Sequence, residues 1–533
     1  METKQTEIPI NEASKSSEEN QTTIDQQVKV FKKDSMRNMI LISWSFCFII
    51  LGVKIVNSFG SSLLGNLGSI TVACLNFGAA LSFLIIPSLM SHFTNLRFTM
   101  KLFGPEYGLY IMTYVYLIPI LNCLWSMFHG FCASVLWTCE TMFLAENSTD
   151  EDRGFKSGLF WGIYMIGSIV GNVFVFFYLK YVGYDPDVTT GWLGKLSILF
   201  LVFAILAFIG CIFLFLFRPV TKPKCLMSAA DLQEAEATAT KKQHKEKEHH
   251  ILDVFKGFVN PRIILLALPS CCWGFQYGFS NSLFNRQVID RSIIGLVCAY
   301  NGFIQVLYSF VGGKMIDLFG HYVVFVFTNL SMIIAVILSF FANREQNWLL
   351  YLTSTFLAFG DAGYQTIIPV LITEYYKEKQ TPNAVLRIFM NVANCVAYYI
   401  GIFFVEEGET RATEEKYVYE CIIMVVIVIL SQLSYSVFMC VYGSKKQKIV
   451  YHEPTAQSLS YEDSKKDNGD NQSASMTPDA VSISVESSEK KDDSNNQATS
   501  IAPQDAAATQ EINPNEDTLS TPSMTDPASQ PAV

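Results

Sequence analysis

Long apolar segments separated by short polar loops dominate the sequence between residues 38 and 442. Each segment extends to roughly the 20 residues that a helix needs to cross a hydrocarbon layer about 30 Å thick. Lipid offers no partner to backbone N–H and C=O groups, and a helix satisfies those groups internally. With 50% hydrophobic and only 16% charged residues, the composition excludes an ordinary soluble enzyme. We therefore predict an all-α integral membrane protein.

The apolar segments form two groups of six. They span residues 38–57, 67–92, 99–119, 121–145, 157–181 and 194–217, and then 262–283, 292–312, 321–342, 348–373, 383–405 and 418–442. Two such groups joined by a long polar linker are typical of two helical bundles related as a parallel repeat. The pattern predicts twelve transmembrane helices, with one bundle at 38–217, a charged cytoplasmic linker at 218–261 and a second bundle at 262–442.

The two ends of the chain are polar and are expected to be disordered. Residues 1–37 are rich in Glu, Gln, Ser and Lys, and residues 443–533 are rich in Ser, Thr, Asn, Asp and Ala. Segments of this composition bury too little apolar area to offset the entropy of ordering.

Loop Lys and Arg residues indicate the orientation, because cytoplasmic loops carry an excess of them. With the N-terminus inside, most of these residues, including those of the linker, lie on the cytoplasmic side. The opposite side keeps Lys180, Lys195, Arg286, Arg291, Arg344, Arg411 and Lys416. Both termini are therefore predicted to be cytoplasmic, in a multi-pass protein of the plasma membrane or an endomembrane.

Two stretches carry a resemblance to a known family. Between Phe131 and Asn172, VLWTCE is followed by an acidic loop with RG, by SGLFWG and by GN; Phe356–Gly401 contains FGDAGYQ and LRIFM. They resemble helices four and five, and ten and eleven, of the UNC-93-like branch of the major facilitator superfamily. The resemblance implies two halves that rock around a central cavity. Family members also include a potassium-channel regulatory subunit and a trafficking chaperone for innate receptors.

Charged side chains inside the predicted helices are functional candidates, because charge is costly in lipid. Asp361 lies near the bilayer midplane, and Ser354, Tyr364 and Gln365 share its helical face. Such a polar stripe must face protein or a water-filled cavity. Asp361 is therefore interpreted either as an acid that binds a proton or cation during transport, or as a buried acid that fixes the register of neighbouring helices.

Glu140 and Lys54 are the other two intramembrane charges that stand out. Glu140 either belongs to a cavity wall or forms a structural latch with Arg153. The stripe that Glu140 shares on the fourth helix also contains Asn122, Ser126, His129 and Trp137. Lys54 lies near the outer end of the predicted first helix, where its long stem can reach the headgroups; a role in substrate binding is the alternative. Gln276 is a weaker candidate, since buried amides often join helices.

The stretch GGKMIDLFGH, Gly312–His321, resembles a degenerate gating motif of the superfamily. Lys314 and Asp317 are its charged members, and Arg153 in the loop after helix four completes the candidate gating residues.

The resulting hypothesis is a carrier that moves a small solute by alternating access, with coupling to a proton or ion. The alternative is a non-transporting partner that regulates or escorts another membrane protein, such as a potassium channel or a receptor. The sequence contains no phosphate loop, nucleophile arrangement or metal-ligand spacing. We therefore expect no enzymatic activity, cofactor or metal. The expected partners are the lipid bilayer and an unidentified small solute or ion, and not nucleic acid.

Overall fold

Helices account for most of the chain in this computed structural model, which describes residues 10–93, 95–149, 152–183, 190–227, 251–342, 347–376, 379–405 and 411–443. They are α1 (Ile10–Leu63), α2 (Gly65–His92), α3 (Leu96–Met112), α4 (Pro119–Glu146), α5 (Arg153–Tyr181), α6 (Lys195–Phe215), α7 (Ile251–Phe258), α8 (Pro261–Gly278), α9 (Arg291–Ala342), α10 (Asn347–Tyr375), α11 (Gln380–Phe403) and α12 (Glu414–Tyr442). A π-helical turn at Phe279–Phe284 and a short helix at Asn285–Gln287 continue α8. Strands β1 (Tyr116–Leu117) and β2 (Gly191–Trp192) pair antiparallel.

Within the described residues, ten helices are long and apolar enough to cross a membrane. The helix α3 has 17 residues and falls just short of that length. The 52-residue α9 is two helical limbs that meet at Gly320, where φ is 76°. A positive φ of this size is readily adopted only by glycine, so Gly320 sets the break. The predicted all-α membrane architecture is confirmed.

The N-terminal segment differs from its prediction. The helix α1 begins at Ile10, inside the segment 1–37 that we expected to be disordered. Phe31 is only 2% exposed, and the ammonium group of Lys156 on α5 donates to the Ser35 hydroxyl at 3.0 Å. Glu, Gln and Lys are good helix formers, and they extend a helix that the apolar segment already nucleates. The prediction of disorder is therefore wrong for this part. The tail beyond 443 and linker residues 228–250 lie outside the described residues.

The outer surface of the helices is strongly apolar. Ile120, Leu124, Val170, Leu318 and Phe403 are each more than 60% exposed. Side chains of this kind would be costly in water, but lipid tails are as apolar as they are. The surface therefore suits a bilayer.

Close packing of α5 on α1 positions the centre of the molecule. A Cβ at Gly167 would lie 2.6 Å from Cys47 Sγ, and one at Gly171 would lie 2.8 Å from Leu51 Cδ1. Both distances are shorter than van der Waals contact, so only glycine permits this approach. The approach carries Tyr164 of α5 towards Lys54 of α1.

Candidate functional site

A polar cavity of about 50 Å³ lies between α1, α5, α8, α9 and α10. Its walls are mostly amide and hydroxyl side chains, and Lys54 and Asp361 are its charged members. The other polar residues on the walls are Ser58, Ser168, Asn172, Gln276, Tyr277, Ser280, Asn281, Asn285, Asn301, Gln305 and Ser354. A polar space of this size is large enough to hold water. Three of the residues singled out from the sequence, Lys54, Gln276 and Asp361, thus meet at one cavity.

Asp361 is held in a defined orientation by neutral donors. Its Oδ1 accepts from Trp273 Nε1 at 3.1 Å, and its Oδ2 accepts from Gln305 Nε2 at 2.9 Å. The amide nitrogen of Gln305 also donates to Asn301 Oδ1 at 2.8 Å, which uses both of its N–H groups. Gln365 lies one turn further along α10. The Asp361 side chain is 4% exposed, so its carboxylate is buried and held by polar protein groups.

Lys54 faces the cavity and not the headgroups. The helix α1 continues to Leu63, six residues beyond its predicted end, so Lys54 lies well inside it. Its Nζ is 5.8 Å from the centre of the Tyr164 ring and 5.6 Å from that of Tyr277. Both distances are in the range of cation–π attraction. The snorkelling interpretation therefore does not describe this side chain.

The charges of Lys54 and Asp361 interact across the cavity. Their charged atoms are nevertheless more than 4.0 Å apart, so Lys54 and Asp361 form no direct ion pair. Lys54 belongs to α1 and Asp361 to α10. The two charges are therefore presented to the cavity by different helices.

Two buried amide oxygens on the cavity wall have no hydrogen-bond partner within the described part of the chain. They are Oε1 of Gln276 and Oδ1 of Asn172, and each residue is about 2% exposed. Buried acceptors are nearly always paired with protein or water. Both residues line the cavity, but neither of these two oxygens is accessible to a water-sized molecule.

A second pair of opposite charges lies beside the cavity. Glu140 of α4 is buried, its Oε2 is 3.3 Å from the Thr141 hydroxyl, and its charged neighbour is Arg387 of α11. The Arg387 guanidinium lies 5.1 Å from the centre of the Trp273 ring. Since Trp273 also donates to Asp361, contacts run continuously from Arg387 of α11 to Asp361 of α10. Arg153, the predicted latch partner of Glu140, is an exposed residue at the start of α5.

His129 and Trp137 pack inside the first six helices and are not among the cavity-lining residues. Nδ1 of His129 lies 2.6 Å from Oε2 of Glu106, and its ring stacks on Tyr110 at 4.0 Å. Trp137 packs edge-on to Phe46, with ring centres 5.3 Å apart. The α4 stripe therefore holds helices together around the site.

Tyr364 and the gating candidates also lie away from the cavity. The Tyr364 hydroxyl bonds to Asn329 and lies 3.0 Å from Cys272 Sγ. Lys314 is exposed on α9. Asp317 lies on the same helix, before the break at Gly320, and its side chain is outside the described residues.

Charged residues that were not singled out from the sequence include Glu106, Arg286 and Glu420, which are buried, and Arg387, which is half-buried. Glu106, Arg387 and Glu420 lie within predicted helices, so a complete count of intramembrane charges would have found them. Arg286 was assigned to an outer loop, because the apolar pattern ends near residue 283. The π-helical turn continues α8 and carries Arg286 inside, where it is 1% exposed.

Arg286 ties several helices together at the end of the bundle that carries β1 and β2, here called the strand end. Its guanidinium donates to Asn66 Oδ1 at 3.0 Å and to the Gly401 carbonyl at 3.1 Å. Glu420 of α12 is its charged neighbour. Arg286 therefore links the start of α2 with α11 and α12.

Comparison with known proteins gives a family and a fold. A family model described as "Ion channel regulatory protein UNC-93" matches residues 64–434. UNC93-like protein MFSD11 of Xenopus tropicalis is 23% identical over 457 residues, which are 71% of this chain and 97% of that protein. The unc-93 protein of Caenorhabditis elegans is 23% identical over 392 residues, which are 65% of this chain and 54% of that protein.

Solved transporter structures share the architecture. The nucleoside transporter NupG aligns with a TM-score of 0.55 at 12% identity, covering 75% of this chain and 98% of NupG. A partially occluded inward open conformation of the xylose transporter XylE from E. coli aligns with a TM-score of 0.53 at 14% identity, covering 77% of this chain and 97% of XylE. At these identities the likeness shows the fold, which is that of the major facilitator transporters.

Proposed function

Because this chain belongs to the UNC-93 family and has the fold of major facilitator transporters, we propose that it carries a small solute across a membrane by alternating access. The observation that carries the proposal is the central polar cavity with Lys54 on one wall and Asp361 on the other. Charged groups inside a membrane protein are costly and mark solute or ion pathways. Carriers of this fold bind their substrates between two halves that rock around the site.

Asp361 is the proposed coupling group, which binds a proton or a cation during the cycle. Its hydrogen-bond donors, Trp273 and Gln305, are neutral, so its negative charge is not cancelled by a direct ion pair among the described residues. It also faces a space that can hold water. Both properties suit an acid that binds and releases a proton or a cation during the transport cycle.

Contacts at the strand end support a state that is closed there. Asn285, which follows the π-helical turn of α8, donates to the Ser58 carbonyl at 3.0 Å, and Tyr398 donates to the Asn57 carbonyl at 3.2 Å. Arg286 adds its bond to Asn66. Each of these bonds joins one of the first six helices to one of the last six. In a carrier, they would break when the strand end opens.

The proposed topology has twelve crossings, with both termini and the linker in the cytoplasm. The ten helices that meet the length and hydropathy criteria are completed by α3 and by the limb of α9 that precedes Gly320. The excess of Lys and Arg on one side supports the orientation.

Uptake by the purified full-length protein in liposomes tests the carrier function. Solute classes are screened with and without a pH gradient, against protein-free liposomes. Accumulation of one class above this control is expected. Absence of uptake for every class by correctly folded protein would contradict a carrier.

The second candidate is a non-transporting regulatory partner of another membrane protein. The family description, an ion channel regulatory protein, favours it. Affinity purification from the native membrane after cross-linking tests this alternative. A stoichiometric channel or receptor in the purified complex, together with the absence of uptake in liposomes, would support the regulator and overturn the carrier.

A further inference from the structure

The central cavity carries one positive and one negative group, so its net charge is zero. Lys54 and Asp361 are its charged members, and every other polar residue on its walls is an amide or a hydroxyl. A solute with a single charge would compensate only one of the two groups. The other group would remain without an ionic partner, which is unfavourable for a charge removed from bulk water.

The cation has unused hydrogen-bonding capacity. The Lys54 ammonium makes cation–π contacts with Tyr164 and Tyr277. An ammonium group has three N–H donors. No carboxylate lies within 4.0 Å of it in the described parts of the chain. Lys54 can therefore donate to an incoming anion.

The anion has unused capacity as well. Asp361 accepts hydrogen bonds from Trp273 and Gln305, and a carboxylate offers about four acceptor positions. Its partners are neutral, so the carboxylate can still bind a cationic group from the cavity.

We propose that the central cavity binds a small zwitterion, with its carboxylate paired to Lys54 and its ammonium group paired to Asp361. The substrate class deepens the proposed carrier function and rests on it, because both use the same cavity. A zwitterion compensates both charges and adds no net charge to the site.

Binding to the purified full-length protein tests the proposal without requiring transport. The probes are the amino acids glycine, β-alanine, 4-aminobutyrate and 5-aminopentanoate, whose charges lie progressively farther apart. A ligand that binds only the folded state raises the unfolding temperature, so each probe is added at about 10 mM and thermal unfolding is recorded. The matched controls for 4-aminobutyrate are butyrate, butylamine and butyramide. At least one zwitterion is expected to bind about tenfold or more tightly than its singly charged and neutral analogues.

Two conservative variants should change, in opposite directions, which ligand charge the cavity prefers. Lys54→Gln removes the partner of the carboxylate, so zwitterion binding falls and the amine becomes the better ligand. Asp361→Asn removes the partner of the ammonium group, so the carboxylic acid anion becomes the better ligand. A merely structural role for either residue would not reverse the preference. Glu106→Gln is the control: it neutralises a buried charge away from the cavity and should leave the preference for zwitterions intact.

The outcomes separate the substrate class from the carrier function. Zwitterion binding with the two reversals, but without uptake in liposomes, would support the site and overturn the carrier. Uptake of a neutral or singly charged solute, with no zwitterion bound, would support the carrier and overturn the zwitterion. Failure of all four amino acids to raise the unfolding temperature of the wild-type protein, or equal binding of their singly charged analogues, overturns the proposal.

Discussion

Replacing Arg286 with Met should strongly destabilise the strand end. The guanidinium donates to Asn66 at 3.0 Å, to the Gly401 carbonyl at 3.1 Å and to the Ser69 hydroxyl at 3.5 Å. Hydrogen bonds from charged groups contribute about 1.5–3 kcal/mol each. Its removal also leaves Glu420, itself 1% exposed, without its charged neighbour. Arg286 acts on Glu420 through space and not through a direct ion pair, so this part adds less than the cost of breaking a direct buried pair, which is about 3–5 kcal/mol. These contributions overlap and are not additive, so we expect a total loss of about 3–5 kcal/mol in the free energy of unfolding.

A double-mutant cycle with Glu420→Gln separates the ionic part of this loss. The glutamine is uncharged, so it no longer needs a cation, while Arg286 keeps its bonds to Asn66 and Gly401. Arg286→Met should therefore cost at least about 1 kcal/mol less in the Glu420→Gln background. Equilibrium unfolding in mixed micelles with increasing SDS measures all four proteins. A loss below about 1 kcal/mol for Arg286→Met alone, or an equal loss in both backgrounds, would refute this reasoning.

Three further predictions concern the loop before α5, the topology and the tail. Burial alone would raise the pKa of Asp152, but hydrogen bonds from Lys156 and the Thr149 N–H lower it below its ordinary value of 3.8. The ionised Asp152 therefore contributes its full stabilisation above its ordinary pKa, and this stabilisation is lost as the pH falls through the lowered pKa. The decrease in unfolding temperature caused by Asp152→Asn should accordingly be constant from roughly pH 5 to 8. A difference that changes across this range in parallel thermal melts would contradict the assignment. In a cysteine-free background, a cysteine replacing Val188 should react with an impermeant reagent only from outside, and one replacing Thr455 only from inside; the reverse pattern would overturn the topology. Deleting residues 456–533 should leave the unfolding temperature of the solubilised protein unchanged, because it removes no apolar segment, whereas a large fall would show that the tail packs on the helices.

The apolar segments predicted the helices well because lipid allows few alternatives. Each long segment has a helical counterpart, since a chain in hydrocarbon must satisfy its backbone internally. The ends of the helices were less predictable. The helix α1 extends beyond its apolar segment in both directions, and its polar part is stabilised by contacts such as Lys156 with Ser35. Hydropathy does not register such contacts.

The candidate site was predictable only in part, because helical periodicity gives a face and not the neighbour of that face. Asp361 and Gln276 were placed at a cavity by their position and polarity. The stripe containing His129 was assigned to the same kind of wall, but its actual neighbour is Glu106 of α3. Arg387, near the start of a predicted helix, was counted with the cytoplasmic Lys and Arg residues, because its contact with Trp273 depends on helix packing.

Coupled flux through an Asp361→Asn protein tests the central claim most directly. The amide keeps the size of the side chain and can accept one of the present hydrogen bonds, while the titratable charge is removed. Asp361→Leu, which leaves the donors of Trp273 and Gln305 without an acceptor, is the control for misfolding. In liposomes with an imposed pH gradient, we predict that Asp361→Asn folds normally and has lost gradient-driven accumulation of the solute that the wild-type protein transports. Wild-type flux with wild-type pH dependence in a well-folded Asp361→Asn protein would contradict the coupling role of Asp361.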